Sequence, residues 1–260
     1  MGPIYKNTRG VLIGLFVCLL FSFTTIHQNQ IKVYLIGDST MANKQVKAYP
    51  ETGWGMPFFW MFDSSVTVDN RAQNGRSTKT FINEKLWEPV ERDLNAGDYV
   101  LIQFGHNDEV PTKGSYINEA GFKLNLEKFV AETRNKKATP VLITPVARRK
   151  FDAAGGIVGT HDVYSAIVRT VAGEQHVALI DLDKESQDAL RKLGAETSKL
   201  YYNHLTPGEN PNYPDGKEDD THFSELGARK MAEIVLSDIK RLKLELASRV
   251  ASPTIKTVIR

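Results

Sequence analysis

The chain has 260 residues, of which 41% are hydrophobic and 25% are charged, a composition typical of a globular domain with one substantial core. Its 33 basic and 31 acidic residues give a formal net charge of +2. This balance disfavours nucleic acid as a partner, because nucleic-acid-binding domains carry a clear excess of basic residues.

The first thirty residues differ from the rest of the chain. Lys6 and Arg9 precede a nearly unbroken apolar run at residues 11–23, and a polar segment follows. A basic start followed by about 7–15 apolar residues is typical of a secretory signal peptide, and the run is short for a membrane span. We therefore predict a signal peptide over residues 1–30, export to the periplasm or the extracellular space, and no stable membrane insertion after signal removal. Retention as an uncleaved anchor is the alternative, since no small-residue cleavage motif is evident.

Cys18, the only cysteine, lies inside this apolar run. Val17 stands before it, where a lipoprotein attachment site requires a small residue, so we assign Cys18 an ordinary apolar role. A chain without its signal peptide would then have no cysteine, which excludes disulfides, thiol chemistry and cysteine-ligated metal.

Short apolar runs alternating with helical periodicity predict a single α/β domain over residues 31–250, followed by a flexible tail at 251–260. The predicted strands are Lys32–Ile36, Ser65–Asn70, Asp98–Phe104, Pro140–Thr144 and Val177–Asp181. The predicted helices are Ala120–Asn135, Asp162–Glu174 and Ser224–Leu246. This alternation favours a mostly parallel sheet with right-handed crossovers.

The segment Thr197–Thr221 lacks an apolar rhythm and contains three tyrosines, Tyr201, Tyr202 and Tyr213. A long loop without secondary structure inside a compact domain is usually functional or mobile. Because polar loops rarely bury tyrosines, we expect Tyr201 and Tyr202 to contact substrate.

Polar residues collect where the predicted strands end, which is the edge at which parallel α/β sheets bind ligands. GDST (37–40), NGRS (74–77) and GHND (105–108) follow the first three strands, and DDTH (219–222) precedes the last helix. Acyl transfer needs a nucleophile, a base, an acid that orients the base, and donors for the oxyanion. These four segments offer all of these groups.

Ser39 is the candidate nucleophile, His222 the candidate base, and Asp219 the acid that would bind Nδ1 of the imidazole. The candidate oxyanion donors are the backbone amides of Ser39 and Gly75 and the side-chain amide of Asn107. Because Gly75 has no side chain, we expect its N–H to approach the reacting centre closely.

Each of these motifs alone is typical of a helix cap or a turn, and only their convergence favours catalysis. Asp220 is a competing acid, although the Asp-x-x-His spacing favours Asp219. Met41 stands where a nucleophile elbow would have glycine, which argues against an α/β-hydrolase arrangement of the same residue types.

The four segments resemble, in order, the four blocks of the SGNH (GDSL-type) hydrolase superfamily, over about residues 32–246. Ser39, Gly75, Asn107 and His222 match the residues that name this superfamily, and Asp219 matches its triad acid. More narrowly, IGDSTMA, GWGMPF, FGHNDE and ITPVARRKF resemble rhamnogalacturonan acetylesterases, which remove acetyl groups from pectin.

The resemblance implies a three-layer α/β/α flavodoxin-like sandwich with a five-stranded parallel sheet and with no metal or other cofactor. It also implies an exported serine esterase that acts on an acetylated polysaccharide or oligosaccharide through an acetyl-enzyme. Two alternatives stay open: a lipase or thioesterase on the same scaffold, and a noncatalytic glycan-binding protein that keeps the fold.

Substrate contacts are expected from three further positions. Arg148 and Arg149 follow the fourth predicted strand, and guanidinium groups suit the carboxylates of a pectin backbone, although a solvated basic loop fits the sequence equally well. Trp54 is a candidate pocket wall, with packing of its aromatic neighbours on the sheet as the alternative. The sequence offers no metal-ligand spacing.

Overall fold

The central sheet has five parallel strands in a computed structural model that describes residues 29–251. The strands are β1 (Ile31–Gly37), β2 (Val66–Asn70), β3 (Tyr99–Gln103), β4 (Thr139–Ile143) and β5 (Ala178–Ile180). Their order, β2-β1-β3-β4-β5, is the flavodoxin-like order, so the predicted sheet is confirmed. Residues 1–28 of the predicted signal peptide and 252–260 of the predicted tail lie outside the described residues.

Helices cover both faces of this sheet. They are α1 (Gly55–Phe58), α2 (Thr78–Asn83), α3 (Trp87–Asp93), α4 (Glu119–Asn135), α5 (Asp162–Glu174), α6 (Leu182–Thr197) and α7 (Glu225–Arg241). Short 3₁₀ helices lie at Val46–Ala48, Phe59–Met61, Ser198–Tyr201 and Glu245–Arg249. Within residues 29–251, no helix combines the length and the hydrophobicity that a membrane span requires.

The alternation of side chains along β1 separates two apolar cores. Val33 and Leu35 pack into the core under α1, α6 and α7, whereas Tyr34 and Ile36 pack into the core under α2 to α5. All four side chains are fully buried, because successive residues of a strand point to opposite faces of a sheet that is covered on both sides. The arrangement is the predicted three-layer sandwich.

Two predictions about the C-terminal third, the long loop and the end of the last helix, are wrong, and one helix there was not predicted. The segment predicted as a long loop contains β6 (Tyr202–Leu205) and β7 (Lys217–Phe223), which pair antiparallel with Asn203 opposite Asp219. Helix α6 was not predicted, because its sequence is mostly polar or charged and buries only a narrow face that includes Leu182 and Leu190. The last predicted helix ends earlier, at Arg241.

We expect Gly227→Ala, in the first turn of α7, to lower the free energy of unfolding by about 1–3 kcal/mol, because the added carbon overpacks the contact. A Cβ atom there would lie 1.8 Å from the carbonyl oxygen of Tyr201. Urea denaturation measures the change. Gly173→Ala in α5 is the matched control, since no heavy atom lies within 4 Å of its added carbon. The control should stabilise by about 0.4–1 kcal/mol, and a stabilised Gly227→Ala would contradict the proposed contact.

Candidate active site

A buried chain of hydrogen bonds shapes the turn after β1 that carries Ser39. Asp38 Oδ1 accepts hydrogen bonds from the Thr40 backbone amide (2.9 Å) and the Thr40 hydroxyl (2.8 Å). Gln103 Nε2 donates to Thr40 Oγ1 (2.8 Å), and Trp54 Nε1 donates to Gln103 Oε1 (2.6 Å). Burial raises the pKa of the Asp38 carboxyl. These contacts fix the backbone on both sides of Ser39.

Ser39, His222 and Asp219 form one line of hydrogen bonds. Ser39 Oγ lies 2.9 Å from His222 Nε2, and His222 Nδ1 lies 2.9 Å from Asp219 Oδ2. Because the carboxylate accepts a hydrogen bond from the Nδ1–H group, Nε2 is left as the nitrogen that can accept the serine proton. Ser39 is 8% exposed, so the hydroxyl lies at the edge of the protein interior.

The carboxylate of Asp219 is held in place by several donors. Its Oδ1 accepts hydrogen bonds from the backbone amides of Thr221 and His222, both at 2.9 Å. Burial alone would raise the pKa of Asp219, but the hydrogen bonds and the charge of His222 outweigh burial and lower it. Asp219 therefore stays ionised at neutral pH and can stabilise an imidazolium.

The β6–β7 hairpin brings this acid and base to the sheet. Asp219 pairs with Asn203 across the hairpin, and the Thr52 amide donates to the Phe223 carbonyl at 2.9 Å. The second bond attaches the end of β7 to the segment that follows β1. Since His222 directly precedes Phe223, this attachment holds the imidazole next to Ser39.

Asp220 does not contact the imidazole in this arrangement. Its Oδ1 accepts hydrogen bonds from Arg149 Nη1 and from His204 Nε2, both at 2.8 Å. Asp219, and not its neighbour, is therefore the acid that is positioned to orient His222.

Gly75 and Asn107 lie on two turns that are joined to each other. Asn107 Nδ2 donates to the Arg76 carbonyl (3.0 Å), which leaves its second N–H available, and its Oδ1 accepts from Lys113 (3.2 Å). Within residues 29–251, no acceptor pairs with the backbone amides of Ser39 and Gly75. The backbone of Gly75 has φ +75°, a conformation that favours glycine, and a Cβ there would meet no atom of the protein within 4 Å.

Asp108 connects the turn after β3 to the start of α2. It accepts hydrogen bonds from the Thr78 amide (2.7 Å), the Thr78 hydroxyl (2.6 Å) and the Gly105 amide (3.1 Å). Burial raises the pKa of this carboxyl to about 7.

His106, on the same turn, is neutral because burial lowers its pKa well below the usual value, and its Nε2 donates to the Val146 carbonyl (2.9 Å). Both residues hold Asn107 in place.

Two of the expected substrate contacts are wrong because the side chains are buried. Trp54 has no exposed surface and donates its indole N–H to Gln103. Tyr202 is 1% exposed, and its hydroxyl donates to the Ala147 carbonyl at 2.8 Å. Both residues stabilise the loops around the site from within, so neither can stack on a sugar.

Arg149 and Tyr201 are also used elsewhere in the structure. Arg149 donates to Asp220, to Ser198 and to the Ala195 carbonyl, and its side chain is only 11% exposed. Tyr201 is half-buried and lines a surface groove between α6 and α7. The structure thus places Arg149 in a cluster of hydrogen bonds with Asp220, and Tyr201 in this groove, and their contact with substrate stays a prediction.

Arg148 adjoins the candidate triad through Thr221. Its Nη1 donates to Thr221 Oγ1 at 2.6 Å, and the side chain is half-buried. Because Thr221 precedes His222, the guanidinium lies at the edge of the site, with further N–H groups that can bind an anion.

Sequence reasoning missed Lys44 and Glu51, which stand in a polar segment without a recognisable motif. Lys44 contacts the Ser39 carbonyl at 2.6 Å and Glu51 at 2.7 Å. Glu51, Asp219 and His222 offer three atoms within 4.8 Å of one another, a spacing that would suit a metal ion. The Lys44 ammonium balances the charge of Glu51, and His222 binds Asp219, so the donors of this cluster are already paired.

Comparison with known proteins identifies the family. The profile of the GDSL-like Lipase/Acylhydrolase family matches residues 35–230, a range that contains all four sequence segments. The chain belongs to this family. Membership in the superfamily predicted from the sequence is therefore confirmed, and the protein is an ester hydrolase.

Two relatives of this GDSL-like hydrolase come from Bacillus subtilis strain 168. The rhamnogalacturonan acetylesterase RhgT is 39% identical over 222 residues, which cover 85% of this chain and 95% of RhgT. The probable rhamnogalacturonan acetylesterase YesY is 32% identical over 224 residues, covering 84% and 96% of the two chains. The crystal structure of Bacillus subtilis YXIM superposes with a TM-score of 0.72 at 26% identity, over 84% of this chain and 58% of that one.

We expect Asp219→Asn to lower kcat on an aryl acetate by about 10³–10⁴-fold, as loss of the orienting acid does in serine proteases. Asp220→Asn should change kcat by less than about fivefold, because the Asp220 carboxylate binds Arg149 and His204 and is not the one that binds His222. Steady-state kinetics of the two purified variants measure both values. A larger loss in Asp220→Asn than in Asp219→Asn would show that the wrong acid has been assigned to His222.

Proposed function

We propose that this protein is an exported serine esterase that removes acetyl groups from pectin-type polysaccharide. The observation that carries the proposal is the line of hydrogen bonds from Ser39 through His222 to Asp219, with 2.9 Å between each pair of atoms. The names of the relatives RhgT and YesY support the acetyl ester and the pectic sugar. The basic and apolar start of the sequence supports export.

Acylation would begin with attack of Ser39 Oγ on the acetyl carbonyl carbon. The serine proton moves to His222 Nε2, and the new imidazolium is stabilised by the ionised Asp219. The carbonyl oxygen becomes an oxyanion that can accept hydrogen bonds from the amides of Ser39 and Gly75 and from Asn107 Nδ2. Collapse of this intermediate breaks the bond to the sugar oxygen, which takes the proton from His222 and leaves as a free hydroxyl.

Deacylation repeats these steps with water. His222 Nε2 takes a proton from a water molecule as the water oxygen attacks the acetyl carbonyl carbon on Ser39. The same donors stabilise the second oxyanion. Cleavage of the bond to Ser39 Oγ releases acetate, and the serine recovers its proton from His222.

Arg148 is the group best suited to bind an acidic sugar in this mechanism. It adjoins His222 through Thr221 and offers a planar pair of N–H donors that matches a carboxylate. A galacturonate next to the acetylated residue would carry such a carboxylate. We propose that this contact favours pectic substrates over neutral ones.

Acetate release from acetylated rhamnogalacturonan, acetylated homogalacturonan and acetylated xylan should be fastest on the pectic polymers. Ser39→Ala should lower the rate by about 10⁴–10⁶-fold, as loss of the nucleophile does in other serine hydrolases. Ser248→Ala, which alters an exposed serine in the last 3₁₀ helix, is the matched control and should keep full activity.

Two results of the same assay would contradict the proposal. A preference for long-chain aryl esters over acetate would favour a lipase or thioesterase. Undiminished hydrolysis by Ser39→Ala would rule out the serine mechanism, and absence of hydrolysis by the parent protein would favour a glycan-binding role for the fold.

Arg148→Ala should raise KM on an acidic acetylated oligosaccharide by at least about tenfold, because a charge-assisted hydrogen bond contributes about 1.5–3 kcal/mol. KM on a small neutral aryl acetate should stay within about twofold, since that substrate has no carboxylate for the guanidinium to bind. Lys150→Ala removes an equal charge from an exposed neighbour and is the control. Equal changes of KM on both substrates would rule out carboxylate recognition by Arg148.

A further inference from the structure

The ammonium group of Lys44 is buried between the turn that carries Ser39 and the turn that carries Gly75. Lys44 Nζ lies 2.6 Å from the Ser39 carbonyl oxygen, 2.9 Å from Asn74 Oδ1 and 2.7 Å from Glu51 Oε1. The three partners use all three hydrogens of the ammonium, and the side chain has no exposed surface. Lys44 therefore connects the two turns directly.

The burial of Lys44 needs a compensating charge, because lysine is almost never fully buried unless it is paired. Glu51 supplies that charge, and its side chain is only 12% exposed. A carboxylate oxygen of Glu51 also lies within 4.8 Å of atoms of Asp219 and His222. The pair thus contacts the nucleophile turn and the Gly75 turn, and it adjoins the acid and base on β7.

We propose that Lys44 and Glu51 are positioning residues that hold the Ser39 and Gly75 amides at the separation that an oxyanion requires. This inference rests on the proposed serine mechanism. Neither residue would touch the reacting atoms: Lys44 acts on the Ser39 carbonyl and on Asn74, which directly precedes Gly75. Donors that bind the transition state must be placed before reaction, so a small displacement of one turn lowers kcat more than it weakens substrate binding.

The double variant Lys44→Met/Glu51→Gln tests this inference, because it removes both charges and leaves neither one buried alone. We expect kcat on 4-nitrophenyl acetate to fall by about 10²-fold, the loss that a misplacement of about 1 Å produces. KM should change by less than about threefold. A lysine with only a structural role would leave kcat of the folded enzyme unchanged.

A matched control changes the exposed pair Lys230 and Glu233 on α7 in the same way. These side chains are 40% and 58% exposed and lie 3.4 Å apart, so Lys230→Met/Glu233→Gln should keep kcat within about twofold. Circular dichroism and thermal unfolding show whether each variant is folded.

Asn74→Ala is a second test that does not alter a buried charge, since Asn74 is exposed and only its side-chain oxygen accepts from Lys44. It should lower kcat by about tenfold without raising KM, because a charge-assisted hydrogen bond between the two turns is lost. Unchanged kcat in Asn74→Ala, or kcat within about threefold of the parent enzyme in the folded double variant, overturns the inference.

Ser39→Ala separates this inference from the proposed function. If Ser39→Ala is inactive while the double variant keeps its kcat, the serine mechanism stands and only the positioning role fails. If Ser39→Ala keeps full activity, the serine mechanism fails and the positioning role fails with it.

Discussion

The hydrogen bond between Ser39 Oγ and His222 Nε2 joins residues 183 positions apart, and the arrangement of the site depends on it. An imidazole can accept the serine proton only if Nδ1 already carries a hydrogen, and Asp219 at 2.9 Å ensures this. The candidate nucleophile therefore requires the C-terminal ends of β1 and β7, which are far apart in the sequence, to meet. The bridge from Thr52 to Phe223 is the backbone contact that holds these ends together.

The strand order brings the remaining groups to the same edge. β1 lies between β2 and β3, so the turns that follow these three strands are neighbours at the carboxyl edge of the sheet. Gly75 and Asn107 come from the second and third of these turns. Because strand pairing brings these turns together, the candidate oxyanion donors lie on neighbouring turns.

Buried polar contacts, rather than an apolar wall, support these turns from below. Asp38, Thr40, Gln103 and Trp54 form one chain of hydrogen bonds, and Asp108 holds the turn after β3 with three more. Each of these hydrogen bonds restricts the turns that it joins, so the chain has few alternative arrangements. This chain of hydrogen bonds explains why Trp54, which the sequence suggests as a pocket wall, is instead a fully buried hydrogen-bond donor.

The sequence by itself determined the parallel sheet, the five strands and the identity of the residues that converge, because strand alternation and the turn motifs GDST, NGRS, GHND and DDTH are local patterns. Only the tertiary structure decided the β6–β7 hairpin, the burial of Tyr202 and the contacts of Lys44. Strand β7 is polar and has no apolar alternation that would predict its pairing with β6. The ammonium of Lys44 meets Ser39, Asn74 and Glu51 only after three separate segments have packed. Contacts of this kind depend on distances between segments, which a linear pattern does not contain.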